Sequence, residues 1–320
     1  MRRFFAVVAA ATLFLSGCSA DEGPQDGDST PEDVQAPEVV VGVPGEDLPL
    51  VEGAFGEAPI LSFPDADAPE DLTIAVVHEG DGAEIESGAV LISHYQVGIW
   101  GEEPVQSSFT APTPSAFSLD RLIPGWRYGL LGTHVGDRVV LSIPSEYAYA
   151  EGNADLGVEP GDVLVFVVDL LDARMSDDFV GEATPLTGQL PEGITISAEP
   201  GTPAIPVIGE VAAAPTEIEV YVLSEGTGTP ITAGDVFVAA YGASTWSNAP
   251  FGTTWSDVSW DGEPDSYGAQ PPLVIAAGSG TAFDELIGVP VGSRVLFLFP
   301  ANDESGTESQ AVLADIVSLL

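Results

Sequence analysis

Apolar positions along the 320-residue chain fall into short blocks separated by Gly, Pro and Asp. Leu72–His78, Ala89–Ile99, Asp137–Ile143 and Val163–Leu171 are rich in β-branched and apolar residues, which predicts strands. Only Gly125–Leu131 reads as helical, and it is short. Strands around one short helix predict a strand-dominated α+β fold, an antiparallel sheet wrapped around that helix. Two stretches depart from this pattern. Phe4–Leu15 is one continuous apolar run after Arg2 and Arg3, too short to span a bilayer and typical of a signal peptide. From Ser19 to Pro49 the chain is rich in Asp, Glu, Gly and Pro without apolar periodicity, which predicts a disordered acidic tether.

The strand pattern occurs twice. Ala68-Pro69-Glu70-Asp71-Leu72 matches Ala214-Pro215-Thr216-Glu217-Ile218, and Glu79-Gly80-Asp81-Gly82 matches Glu225-Gly226-Thr227-Gly228. Tyr95 matches Tyr241 and Trp100 matches Trp246, all at an offset of 146. Val135-Gly136-Asp137-Arg138-Val139 then matches Val291-Gly292-Ser293-Arg294-Val295 at 156, and Asp169 returns to 146 with Asp315. Two copies of a unit longer than a hundred residues predict tandem domains and not a solenoid. The expected division is leader 1–17, tether 18–49, first domain 50–175, linker 176–192 and second domain 193–320.

Charge narrows the function. Lys+Arg total 7 against 50 Asp+Glu, a net charge of −43, and no lysine occurs. Such a surface repels phosphate backbones and anionic headgroups, so nucleic acid is excluded as a partner. Without lysine there is no Schiff-base chemistry and no P-loop phosphate binding. The single cysteine, Cys18, closes Leu15-Ser16-Gly17-Cys18, which resembles the lipobox of bacterial lipoproteins. That resemblance implies a thiol carrying lipid, and a mature chain anchored on the outer face of the cell membrane. Asp257-Val258-Ser259-Trp260-Asp261-Gly262 opens like a calcium loop, but Gly268 stands at its twelfth position where a bidentate Glu is needed. No metal or cofactor is expected.

The chemistry centres on Leu122–Tyr149. It reads as a turn, a short helix carrying Trp126, a Gly turn and a strand, after which aromatics return at Tyr147 and Tyr149. A Trp on a helix above a floor of strands can line an apolar pocket, and read alone it can equally be plain core. Six segments in order then carry a resemblance. They are Glu79–Gly82, Ser93-His94-Tyr95, Leu122-Ile123-Pro124-Gly125-Trp126, Val135-Gly136-Asp137-Arg138, Tyr147-Ala148-Tyr149 and Leu164–Leu171. Together they resemble an FKBP-type peptidyl-prolyl cis-trans isomerase domain over about Leu72–Ala173.

The resemblance implies a pocket lined by Tyr95, Phe117, Leu122, Ile123, Trp126, Tyr149 and Phe166, with Val105 at its wall. Trp126 would be the floor, and the Ile123 N–H and Tyr149 hydroxyl would hold the bound proline-containing or unfolded polypeptide. His78, His94 and His134 have no role in such chemistry. Departures are also visible. Val105-Gln106-Ser107-Ser108 stands where the family has Phe-Asp-Ser-Ser, Ser115 replaces a wall aromatic, and Ala150 replaces a Gly. In the second copy Ala282 falls at the position of Trp126, Phe251-Gly252-Thr253-Thr254 replaces the acidic motif, and no aromatic loop follows Pro300. Two readings follow: an anchored isomerase assisting exported proteins through its first domain, or a non-catalytic binding, chaperone or spacer lipoprotein.

Overall fold

The computed structural model describes residues 36–111, 113–175, 188–196, 203–255, 270–302 and 306–320. The leader, Cys18, most of the expected linker and the calcium-like loop lie outside these residues. The strands are β1 (Val40–Val41), β2 (Leu50–Glu52), β3 (Ile60–Ser62), β4 (Thr73–His78), β5 (Val90–Ile99), β6 (Pro104–Ser107), β7 (Ser115–Ser118), β8 (Arg138–Ile143) and β9 (Leu164–Arg174). They continue as β10 (Ile194–Ile196), β11 (Pro206–Ile208), β12 (Glu219–Ser224), β13 (Val236–Thr245), β14 (Pro250–Thr253), β15 (Leu273–Ala276), β16 (Arg294–Phe299) and β17 (Gln310–Leu319). The helix α1 spans Pro124–Gly129.

The first sheet runs β1-β4-β8-β9-β5-β6, with β7 also paired to β5. Its pairings are antiparallel except for β1 on β4, which is parallel. The expectation of a disordered segment up to residue 49 is corrected here. Val40 and Val41 pair with Thr73 and Ile74, and Leu48 is fully buried. Two strand residues and one anchoring leucine are too few to raise a periodic signal in an acidic, Gly- and Pro-rich stretch.

Strand alternation sends the side chains to two faces. Val139, Leu141 and Ile143 of β8 join Leu164, Phe166, Val168 and Leu170 of β9 and Leu91 and Val97 of β5 under α1. The opposite face carries Val140, Val165, Val167 and Ala75, covered by Leu48 and by Val51 and Leu61 of the β2–β3 hairpin. Both faces of the central strands are therefore buried, which is why β8 and β9 read as unbroken apolar runs. Each fully buried Val or Leu contributes roughly 1.5–3 kcal/mol.

The two glycine motifs noted in the sequence meet in space. A Cβ on Gly80 would lie 2.3 Å from the Val135 carbonyl oxygen and 2.5 Å from the Gly136 Cα. Gly136 itself turns at φ +94°, a left-handed conformation that suits glycine. Asp137 fixes the contact, accepting the Gly80 N–H at 2.6 Å and the His134 N–H at 2.8 Å. Gly226 and Gly292 repeat it, with Ser293 accepting the Gly226 N–H at 2.9 Å. Gly80→Ala should therefore cost about 1–3 kcal/mol by forcing the turns apart. Chemical denaturation would read this as a lower midpoint, and an unchanged midpoint would mean that the turns separate freely.

The second sheet runs β12-β16-β17-β13-β14, with β15 also on β13, an order that parallels β4-β8-β9-β5-β6 with β7. The β10–β11 hairpin covers its outer face through Ile194 and Ile208 against Leu296, Leu298 and Leu313. The two sheets share a further core. Val90, Ile92 and Ala116 from the first pack with Val238, Ala240, Val274 and Trp255 from the second, and Arg174 donates to the Ser318 hydroxyl at 2.9 Å.

Candidate functional site

Helix α1 starts on Pro124, whose missing N–H costs nothing in the first turn. Gly125 and Gly129 let it lie directly on β8. A Cβ on Gly125 would fall 2.2 Å from Ile143 Cγ2, and one on Gly129 2.7 Å from Leu141 Cδ2. This close approach drives Trp126 into the interior, where it is 3% exposed.

Three aromatic edges surround it. Tyr95 of β5 stands 5.9 Å from Trp126 between ring centroids, Phe117 of β7 5.6 Å and Phe166 of β9 5.4 Å, all T-shaped. Tyr95 and Phe117 also meet edge-on at 5.6 Å. Such pairs add about 0.5–1.5 kcal/mol each beyond area burial. Leu122, Ile123, Tyr147, Tyr149 and Leu156 are half-buried and pack on the same cluster. A buried floor thus lies among partly exposed apolar walls.

Polar groups are sparse here. The Ile123 carbonyl accepts the N–H groups of Trp126 at 3.0 Å and Arg127 at 3.1 Å, whereas its own N–H has no acceptor among the described residues. Burial raises the pKa of both Tyr95 and Tyr149 above the ordinary tyrosine value, and Tyr149 adds to the shift of Tyr95. Asn153 accepts the N–H groups of Asp155 at 3.1 Å and Leu156 at 3.2 Å through Oδ1, and its side chain lowers the Tyr149 pKa against the larger rise from burial. Gln106 of β6 donates from Nε2 to the Tyr95 hydroxyl at 2.7 Å.

The structure therefore brings together Tyr95, Phe117, Leu122, Ile123, Trp126, Tyr149 and Phe166. Val105 is not with them. It is 41% exposed on the edge strand β6, outside the cluster. Leu156 and the Gln106 amide were not anticipated. Leu156 comes from a turn without strand or helix periodicity, and Gln106 registers in the sequence only as a lost carboxylate. His94 faces the other side of the sheet, stacked on Phe109 at 5.3 Å with Nδ1 3.2 Å from the Ser108 hydroxyl. Among the described residues no group of three or more His, Cys, Asp or Glu could hold a metal ion.

In the second sheet Ala282 opens a short 3₁₀ turn, and the next residue, Phe283, supplies the ring. It sits edge-on to Phe297 at 5.2 Å and lies 6.4 Å from Phe299. The match of Ala282 to Trp126 therefore misses the aromatic of this turn by one residue. Val312 and Ile275 stand where the first sheet has Phe166 and Phe117, so the rings come instead from β16.

A sheet closed by one short helix thus holds an apolar pocket with an indole floor and aromatic walls. Comparison with known proteins agrees. The model of the family "FKBP-type peptidyl-prolyl cis-trans isomerase" matches residues 82–171. An FK506-binding protein of Streptomyces anulatus is 39% identical over 121 residues, 36% of this chain and 96% of that protein. A probable FK506-binding protein of Corynebacterium glutamicum is 40% identical over 119 residues, 37% of this chain and 99% of that protein. The crystal structure of FkpA from Escherichia coli is 34% identical, covering 33% of this chain and 49% of that one at a TM-score of 0.30. The chain belongs to the FKBP-type peptidyl-prolyl cis-trans isomerases, a family that acts on proline-containing polypeptides.

Proposed function

We propose that the pocket around Trp126 turns over Xaa-Pro bonds of exported polypeptides while the chain is held at the outer face of the cell membrane by lipid on Cys18. The carrying observation is the indole boxed by Tyr95, Phe117 and Phe166, next to Ile123, whose N–H has no acceptor among the described residues. Rotation about a peptide bond has a barrier of roughly 18–20 kcal/mol because amide resonance resists it. An apolar, water-poor pocket disfavours the charge-separated resonance form and so favours the twisted bond. The Ile123 N–H and Tyr149 hydroxyl hold the flanking peptide during rotation, an interaction useful only if it strengthens in the twisted state. No step needs a nucleophile, a metal or a cofactor.

Anchoring rests on the signal-like run and the Leu15-Ser16-Gly17-Cys18 motif. The shared strand order of the two sheets supports two tandem copies of one domain, of which the second binds or buttresses and does not catalyse. The alternative, a non-catalytic chaperone, draws on Val105, which leaves one pocket wall without an aromatic.

A protease-coupled assay of the full chain on a tetrapeptide with one Xaa-Pro bond tests turnover. Catalysis should be flat between about pH 6 and 9, because Tyr95 and Tyr149 are both shifted upward and keep their protons there. A rate no faster than the uncatalysed one would leave only the binding reading.

A further inference from the structure

Gln106 stands where the family resemblance implies a carboxylate, and its side chain is not idle. Its Nε2 donates to the Tyr95 hydroxyl at 2.7 Å, and the ring of that tyrosine forms one wall of the box around Trp126. A phenol oxygen that accepts a hydrogen bond keeps its own proton to give. With an acceptor-only carboxylate as neighbour, the phenol would donate to it and spend that proton inside the wall. From this we infer that Gln106 is a positioning residue, which turns the Tyr95 O–H outward as a second hydrogen-bond donor to the bound peptide, beside Tyr149.

Two observations bear on it. Beside Tyr149, Asn153 accepts the N–H groups of Asp155 and Leu156 through Oδ1 and lowers the Tyr149 pKa against the larger rise from burial. The second sheet supplies a contrast. Gly252 pairs with Ala243 as Gln106 pairs with Val97, and a Cβ on Gly252 would lie 3.0 Å from the Tyr241 hydroxyl oxygen. Position 252 itself therefore carries no side chain that could serve Tyr241 as Gln106 serves Tyr95. The Gln106 carboxamide thus has no equivalent at the matching position of the second sheet.

This rests on the isomerase reading, and the experiment separates the two. Gln106 is exposed, so its replacements should leave the unfolding midpoint within a degree or two of wild type. At one pH near 7.5, kcat/KM for an Xaa-Pro tetrapeptide is measured for Gln106→Glu, an acceptor only, and Gln106→Arg, a donor only. Gln106→Glu should lose about tenfold, the rate equivalent of one hydrogen bond, and Gln106→Arg should stay within about twofold of wild type. In a Tyr95→Phe background the two should become equal, because there is no hydroxyl left to orient. Equal rates with Tyr95 present, or the same gap surviving in Tyr95→Phe, would overturn the assignment. If the wild-type chain binds the peptide without turning it over, the isomerase reading falls and the same comparison is made on the peptide Kd. A chain that neither binds nor turns over the peptide overturns both.

Discussion

Arg138→Ala should lower stability by about 3–5 kcal/mol, the usual consequence of stranding one partner of a buried ion pair. Arg138 is 1% exposed and Asp169 fully buried. The guanidinium grips Asp169 through Nε at 2.5 Å and Nη2 at 2.7 Å, and its remaining N–H groups donate to the carbonyls of Gly53 at 2.9 Å and Glu57 at 2.7 Å. Asp169 in turn accepts the Gly56 N–H at 2.6 Å. One pair therefore ties β8 and β9 to the loop between β2 and β3, and its loss leaves an uncompensated carboxylate in the interior. The thermal midpoint should fall by roughly 10 °C, and the segment around residues 53–57 should become open to limited proteolysis. Arg138→Met with Asp169→Leu should recover much of the loss, because exchanging both charges for apolar groups leaves nothing unpaired. An unchanged midpoint for Arg138→Ala would show that the pair contributes nothing net. Turnover should survive below the new midpoint, since the pair faces away from Trp126.

The same pair marks what could be read in advance. Val-Gly-Asp-Arg and Val-Gly-Ser-Arg were visible as a repeated motif, and Asp169 and Asp315 as a matching pair. Arg294 meets Asp315 as Arg138 meets Asp169, at 2.6 Å through Nε. The four long strands of the first sheet, β4, β5, β8 and β9, were equally legible, because apolar and β-branched runs of six or more residues leave a strong signal, whereas the two- to four-residue strands β1, β6 and β7 were not. Nor were the covering hairpins. β2, β3, β10 and β11 have three residues each, too few to display a period of two. Docking of one sheet on the other was hidden differently. Val90-Leu91-Ile92 is apolar at every position, which says both faces are covered but not by what. At the site, the aromatic box followed from the family pattern, whereas the Gln106 bond depended on where an edge strand falls. Phe283 was missed because a fixed offset cannot follow a ring that moves one residue along a tight turn.

Trp126→Ala should be at least as damaging as the loss of Arg138, for a different reason. Emptying a site that is 3% exposed costs about 3–5 kcal/mol, and the three edge-on contacts with Tyr95, Phe117 and Phe166 go with it. Turnover should disappear, but a collapsed core would abolish it too, so that variant alone does not distinguish floor from filler. Trp126→Phe does. The second sheet closes its own core with a phenyl ring, Phe283 on Phe297, so a phenyl on this turn is compatible with folding. Trp126→Phe should accordingly stay within about 2 kcal/mol of wild type in denaturant titration, the usual range for a core swap of similar character. Under the mechanism proposed above its kcat/KM should nevertheless fall about tenfold or more, because the smaller ring would lower the proposed proline floor and admit water to a pocket proposed to work by excluding it. A Trp126→Phe protein that folds and turns over at the wild-type rate would make the indole ordinary core, and the catalytic surface would then have to be sought among Tyr95, Tyr149 and Ile123 alone.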